Sequence, residues 1–267
     1  MKKFGIDVSK WQGNFNFNKA KSEGVEFAIL RGAYSTSKDV KFEEYYAACK
    51  ALNLPVGVYQ YSMAKTTGEA QKEAEMLYTQ VLKGKKFEYP IYIDIEDKVQ
   101  LALSKKLLTD IAITWCEYLT KKGYFVGIYA GKYTFQNNMD DSRLKKYTHW
   151  IPAWSSECSY ADKSVLGMWQ FGGETNKLRS NKIAGVVCDQ NYAYVDFPAV
   201  IKTKEFNGYK NTPTTEVQLT TQYTASQIAS AKKTVQTKAG LADKTIQYLM
   251  EYQHGNDLIV KLAKAMQ

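Results

Sequence analysis

The chain is poor in the residues that build metal clusters and disulfide frameworks. It has four cysteines, Cys49, Cys116, Cys158 and Cys188, with no CxxC pair among them, and only two histidines, His149 and His254. A metal cluster would therefore need carboxylates for most of its ligands. No metal or cofactor is expected. Two of the cysteines fall in helical patterns, and all four read as reduced core thiols. No apolar run approaches the ~20 residues of a membrane span. The start, Met1-Lys-Lys-Phe-Gly-Ile-Asp-Val, has no apolar stretch of signal-peptide length, so synthesis in a cytoplasm and release by some other route are expected. Arg-rich tracts and nucleic-acid motifs are missing too, which argues against nucleic acid as the partner of a chain with net charge +9. A basic surface of this kind still favours polyanions such as acidic wall polymers.

What is present is ordinary globular material: 267 residues, 45% hydrophobic and 24% charged, with 20 Tyr and 5 Trp. That length suits one large domain and a small one. The richest local signal is Asp94-Ile95-Glu96, closing the apolar run Tyr89-Pro-Ile-Tyr-Ile. On a strand, residues two apart share a face, with Cα atoms roughly 6.5–7 Å apart. Two carboxylates so placed suit glycoside cleavage, where one protonates the leaving oxygen and the other supports the sugar cation. Their mutual repulsion would let one stay protonated near neutrality.

Up to about residue 200 the pattern alternates strand and helix. Strands are expected at 4–8, 26–31, 56–61, 90–96, 124–129, 149–154, 166–171 and 186–191. Helices are expected at 15–24, 42–52, 67–82 (capped by Thr67) and 104–122, with short pieces near 133–137 and 141–146. Eight strands, the last three poorly separated by helices, predict an α/β fold: a distorted TIM-like β/α barrel on a parallel sheet. Sites in such barrels lie at the carboxyl ends of the strands. The polar residues there are Asp7, Arg31, Tyr59, Tyr61, Asp94, Glu96, Tyr129, Trp154, Gln170 and Asp189, and they should converge.

Residues 203–224 are rich in Thr, Lys, Asn, Gly and Pro and read as a linker. Residues 225–267 have three short helical patterns, with apolar stripes at Ile246, Leu249 and Met250 and at Leu258, Ile259 and Leu262. So little material can hardly hold a core unaided, so this small all-α domain is expected to oligomerise, pack elsewhere or order on a target.

Several stretches together carry a resemblance: Gly5-Ile-Asp-Val-Ser, Trp11-Gln-Gly, Phe27-Ala-Ile-Leu-Arg-Gly, Val56-Gly-Val-Tyr-Gln-Tyr, Asp94-Ile-Glu, Val126-Gly-Ile-Tyr, Met168-Trp-Gln-Phe and Asp189. Residues 1–202 resemble the lysozymes of glycoside hydrolase family 25, the muramidase type common in phage endolysins. The resemblance implies cleavage of the β-1,4 bond between N-acetylmuramic acid and N-acetylglucosamine in peptidoglycan. It makes Glu96 the general acid, Asp94 the stabilising carboxylate, and Asp7 and Asp189 flanking acids. Arg31, Tyr59, Tyr61 and Trp154 become pocket walls. A non-catalytic glycan binder and a chitin-type glycosidase are the alternatives on the same barrel. In such a protein residues 225–267 would be a wall-targeting module, with anionic wall polymers as a further partner.

Overall fold

The computed structural model of the chain describes residues 2–209, 224–250 and 255–266. They fall into two compact units, Met1–Lys210 and Asn211–Gln267.

The first unit is a closed barrel. Its strands are β1 (Lys3–Val8), β2 (Phe27–Tyr34), β4 (Val56–Tyr61), β5 (Ile91–Asp94), β6 (Val126–Tyr129), β7 (Thr148–Pro152), β8 (Leu166–Gly172) and β11 (Asp189–Ala193). Neighbours pair in the order β1-β2-β4-β5-β6-β7-β8-β11, and β11 returns to β1. Every pairing from β1 round to β8 is parallel. Two-residue strands complete the set: β3 (Ser37–Lys38) forms a hairpin with β2, and β9 (Lys182–Ile183) pairs with β10 (Val186–Val187).

The expected parallel sheet is corrected at its last strand, since β11 runs antiparallel to both β8 and β1. The stretch expected as one strand, 186–191, is split. Its first two residues close the small β9–β10 hairpin, and Asp189 starts the barrel strand. No helix lies between β8 and β11 to carry the chain back to the far end, so the strand returns in the opposite sense.

Alternation along the strands sorts side chains to two sides. Phe27, Ile29, Tyr92, Tyr129, Trp150 and Met168 fill the barrel interior as one cluster. Ala28, Leu30, Val58, Ile93 and Ile128 belong to a second cluster that includes helix residues such as Leu108, Ile111 and Trp115. Strands buried on both faces read as continuous apolar runs, as β8 does with all seven residues buried.

Helices cover the outside. α1 is Phe17–Ser22, α2 Phe42–Ala51, α3 Thr67–Leu77, α4 Lys98–Leu101 and α5 Lys105–Lys121. Ser104 caps α5, its hydroxyl accepting from the Leu107 N–H at 3.3 Å. Thr66 rather than Thr67 caps α3, accepting from Glu69 N–H, and the expected helix to residue 82 ends in a π turn, Tyr78–Leu82. The piece expected at 133–137 is a π turn at Thr134–Asn138 and that at 141–146 a 3-10 turn at Asp141–Arg143. All four cysteines are free, with Cys49, Cys116 and Cys188 buried and Cys158 partly so.

At the end opposite the strands' carboxyl termini, α6 (Phe197–Thr203) leads into a segment that packs on the barrel. Asn207 donates to the Tyr89 carbonyl at 2.9 Å and accepts from the Phe125 N–H at 2.7 Å. Residues 203–209, expected as the beginning of a linker, are thus bonded to two strand starts. Residues 210–223 lie outside the described residues.

The second unit contains α7 (Ala225–Ala239), α8 (Asp243–Met250) and α9 (Gly255–Ala265). Thr224 and Gln227 form a capping box at the start of α7, and Gly240 ends it in the left-handed conformation. Ala231, Val235, Ile246, Ile259, Val260 and Ala263 are buried together. The expected stripe on the last helix is shifted: Leu258 is exposed, and Val260 and Ala263 take its place. Among the described residues no helix is long and apolar enough to cross a membrane.

Candidate active site

The alternation that packs the interior also builds the site. Asp7, Arg31, Tyr59, Asp94, Tyr129 and Gln170 lie at or near the carboxyl ends of their strands, on the inward side. Asp189 joins them from the start of β11, because an antiparallel strand begins where its neighbours end. Asp7 and Asp189 are direct partners in the β1–β11 register. All of these residues, with Tyr61, Glu96, Ser9, Trp11, Gln12 and Trp150, line one cavity of about 270 Å³. Of the expected site residues, only Trp154 is not among its walls. It stands half-exposed at the rim and donates its indole N–H to Gln170 at 3.1 Å.

Contrary to the expectation of one strand over 90–96, Glu96 does not share a strand with Asp94. β5 stops at Asp94, and Glu96 is in the loop beyond it. The two carboxyls still line the same cavity in unequal settings. Asp94 is buried while Glu96 is exposed to solvent. Asp94 Oδ1 has no hydrogen-bond partner. An unpartnered buried oxygen is costly in a fold, and this one belongs to a residue lining the cavity.

Asp7 is the best-held of the acids. Its Oδ2 accepts from Asn191 Nδ2 at 2.8 Å and from Gln170 Nε2 at 3.1 Å. Both amides are oriented in turn. Trp150 donates to Asn191 Oδ1 at 2.8 Å, and Tyr129 to Gln170 Oε1 at 3.1 Å. A three-residue 3-10 turn, Lys10–Gln12, folds over the mouth after β1. Ser9 caps it, and Gln12 returns to accept from the Ser9 N–H at 2.8 Å.

Arg31 is the one cation in the cavity wall, and Asp39 already holds it: Nε donates to Asp39 Oδ2 at 2.7 Å. The cluster is therefore short of positive charge, and its acids bind protons tightly. Burial raises Asp7 to about 6, against the two amide hydrogen bonds. Asp189 rises to about 8 through burial and then repulsion from Asp7 and Glu96. Asp94 lies well above the carboxylate range, through burial first and then repulsion from Glu96 and Asp7. Glu96 keeps solvent contact, yet desolvation at the cleft wall and then Asp97 raise it; its repulsion with Asp94 falls on Asp94. Protons shared among such neighbours belong to the cluster rather than to single residues.

Reasoning from the sequence missed Ser9, Gln12, Trp150, Asn191 and Gly173 as parts of the site. Gly173 follows β8, and a Cβ there would sit 1.9 Å from Asp189 Oδ1 and 2.8 Å from the Trp154 ring. The glycine makes room for the carboxylate. The signal for Asn191 was its parity with Asp189 on the same strand; nothing marked Gly173.

A closed barrel with proton-holding carboxyls at its carboxyl mouth has the architecture of a barrel glycoside hydrolase. Residues 6–179 match the model of glycosyl hydrolases family 25, and the chain belongs to that family. The autolytic lysozyme of Clostridium acetobutylicum is 27% identical over 164 residues, which cover 61% of this chain and 48% of that protein. The chain thus spans about half the length of that curated relative. The modular autolysin LytC from Streptococcus pneumoniae, solved in complex with a synthetic peptidoglycan ligand, superposes with a TM-score of 0.63 at 21% identity, covering 72% of this chain and 47% of LytC. The catalytic domain of the endolysin ply40 from bacteriophage P40 of Listeria monocytogenes gives 0.62 at 20% identity over 75% of this chain and 97% of that one.

Proposed function

We propose that the protein is a lysozyme of the muramidase type, cutting the β-1,4 bond between N-acetylmuramic acid and N-acetylglucosamine in peptidoglycan. The observation that carries this is the gathering of Asp7, Asp94, Glu96 and Asp189 in one cavity short of cations. Family membership and the named activities of the relatives support it.

In this reading Glu96 is the general acid. It is the cluster member most open to solvent, where an incoming glycosidic oxygen can reach it, and desolvation and Asp97 strengthen its hold on the proton it must donate. Asp94 lies deeper and faces the anomeric carbon, or the acetamido group beside it. Its carboxylate form is favoured as positive charge grows there. Asp7, clamped by Asn191 and Gln170, fixes one side of the cleft. Asp189 holds a proton next to it and spares Glu96 a further negative neighbour. Tyr59, Tyr61, Tyr129 and Trp154 offer ring faces and hydroxyls to the sugars, with Arg31 behind them. Attack by the acetamido oxygen and attack by a water held at Asp7 or Asp189 are both compatible with this layout. Anomeric NMR of the first product separates them.

The unit at 225–267 is proposed as a wall-binding module. Its six lysines against three acids favour anionic wall polymers. Self-association through its helices is the alternative, read by light scattering of full-length and shortened chains. An endolysin role, with release from the producing cell by phage lysis, fits the relatives. The test of the activity is Glu96→Gln assayed on purified walls: clearing should stop while the fold persists, and clearing at the parental rate would refute the assignment.

A further inference from the structure

The acid cleft is walled by carboxylates and amides, but the hollow beside it is different. It holds about 390 Å³ and shares Trp11 and Arg31 with the acid cleft. Its sides come from the 3-10 turn after β1, the β2–β3 hairpin and the turn leading into α2. Three large apolar side chains line it in the open: Trp11 is 76% exposed, Val40 82% and Tyr34 45%. Single exposed apolar residues are common on soluble proteins, whereas a group of them around one concavity marks a binding surface.

The floor of this hollow is fixed. Asp39 accepts from Arg31 Nε at 2.7 Å, from the Lys10 backbone N–H at 3.1 Å and from the Lys41 backbone N–H at 2.9 Å. Tyr34 is stacked on Tyr61, a wall of the acid cleft, with ring centroids 5.0 Å apart. The two cavities are therefore continuous through a ring pair as well as through Trp11. The rim is cationic. The Lys10 ammonium lies 5.0 Å from the Trp11 ring centroid, and Lys38, also at the rim, is shared with Glu43 at 2.5 Å.

A neutral sugar ring takes ring faces to stack on but also calls for free carboxylate and amide partners around its hydroxyls, and the one carboxylate here, Asp39, is already held by Arg31. An apolar hollow with ammonium groups at its edge suits methyl groups joined to carboxylates. In peptidoglycan the sugar bearing the lactyl group carries a short peptide of that kind, with alanine methyls and free acid groups, and it branches next to the scissile bond. The geometry points to the hollow formed by Trp11, Tyr34, Val40 and Lys10 as the site that receives this peptide stem. The inference rests on the reading that the acid cleft cuts peptidoglycan.

The test compares two preparations of one wall, glycan with its stems and glycan stripped of them by an amidase, using the full-length protein. The parental protein should show the higher kcat/KM on stem-bearing glycan, with the difference carried in KM. Val40→Asp and Lys10→Glu should each reduce that preference by about tenfold, the size of one good contact. A parental protein without the preference, or two folded variants that keep it, would overturn the stem site. If the parental protein releases no reducing ends from either glycan, the cleavage reading fails instead. The stem site is then judged by titrating a free alanyl-glutamyl stem peptide into 15N-labelled protein: shifts at the Trp11 indole and at Val40 support it, and their absence overturns it.

Discussion

The two ends of the barrel treat buried acids in opposite ways. At the amino-terminal end Glu88 is 8% exposed, and at the carboxyl mouth Asp7 is 6% exposed. Burial pushes both carboxyls up, yet Glu88 ends below its usual range and Asp7 rises to about 6. The difference is what surrounds them. Glu88 accepts from the Lys50 ammonium at 2.5 Å, from the Val56 N–H at 3.0 Å and from the Tyr209 hydroxyl. Glu26, nearby in the fold, accepts from Lys3 at 2.7 Å and the Phe4 N–H at 2.9 Å, and it too is lowered. Asp7 has two neutral amides and acidic neighbours. Depth alone does not decide where a proton sits; the supply of cations and donors does. One end is wired for stability, and the other is left short of positive charge so that it can hold protons.

The largest break in this contrast should come from removing the acid itself. Glu96→Gln should lower release of reducing ends by roughly 10²–10⁴, the range for loss of a general acid, with unchanged circular dichroism. Gly173→Ala comes next. Its new Cβ would displace the Asp189 carboxyl, and kcat should fall by up to about 10²-fold, as for an ångström-scale misplacement in an active site.

At the other end Glu88→Gln should cost about 2 kcal/mol in urea unfolding, the scale of charge-assisted hydrogen bonds lost from a buried site. Its contribution is present above the ordinary glutamate value of 4.5 and is lost as pH falls through the lowered folded-state value. Asp189 has the opposite sign. Its folded value of about 8 lies above the ordinary 3.8, so the folded state holds the extra proton. Its own contribution costs nothing below about 4 and becomes increasingly destabilising as pH rises towards 8. Asp189→Asn should therefore raise the melting temperature at pH 8 relative to the parent and gain less at pH 4. The smallest effect is on activity against pH: Asp189 is already neutral below about 8, so Asp189→Asn should leave the alkaline limb of the pH–rate profile where the parent has it.

Much of this fold can be read from residue order. Phe27-Ala-Ile-Leu and Leu166-Gly-Met-Trp-Gln-Phe must be strands buried on both faces, and the acids closing such runs mark the mouth. The direction of β11 could not be read. Its side chains alternate in the same way whichever way it runs, and only the shortness of the preceding connection bears on it. Glu96 looked like a strand residue because Ile95 is apolar and buried, yet the ladder stops one residue earlier. Lys202-Thr-Lys-Glu has the composition of a linker. Three residues, Phe206, Asn207 and Tyr209, tie the segment that follows it to the barrel, and their partners are about eighty or more residues away in sequence. The clamp on Asp7 escaped notice for the same reason. Gln170 and Asn191 are unremarkable amides until the barrel closes and brings them to one carboxylate 163 and 184 positions away.

The central claim is that the mouth retains protons that the opposite end gives up, and carboxyl titration by 13C NMR of labelled Asp and Glu reads it directly. The account predicts that Asp94 titrates well above the ordinary carboxylate range, Asp189 near 8 and Asp7 near 6, while Glu26 and Glu88 titrate below their ordinary value. All five carboxyls titrating together near 4, the ordinary range for exposed acids, would contradict it.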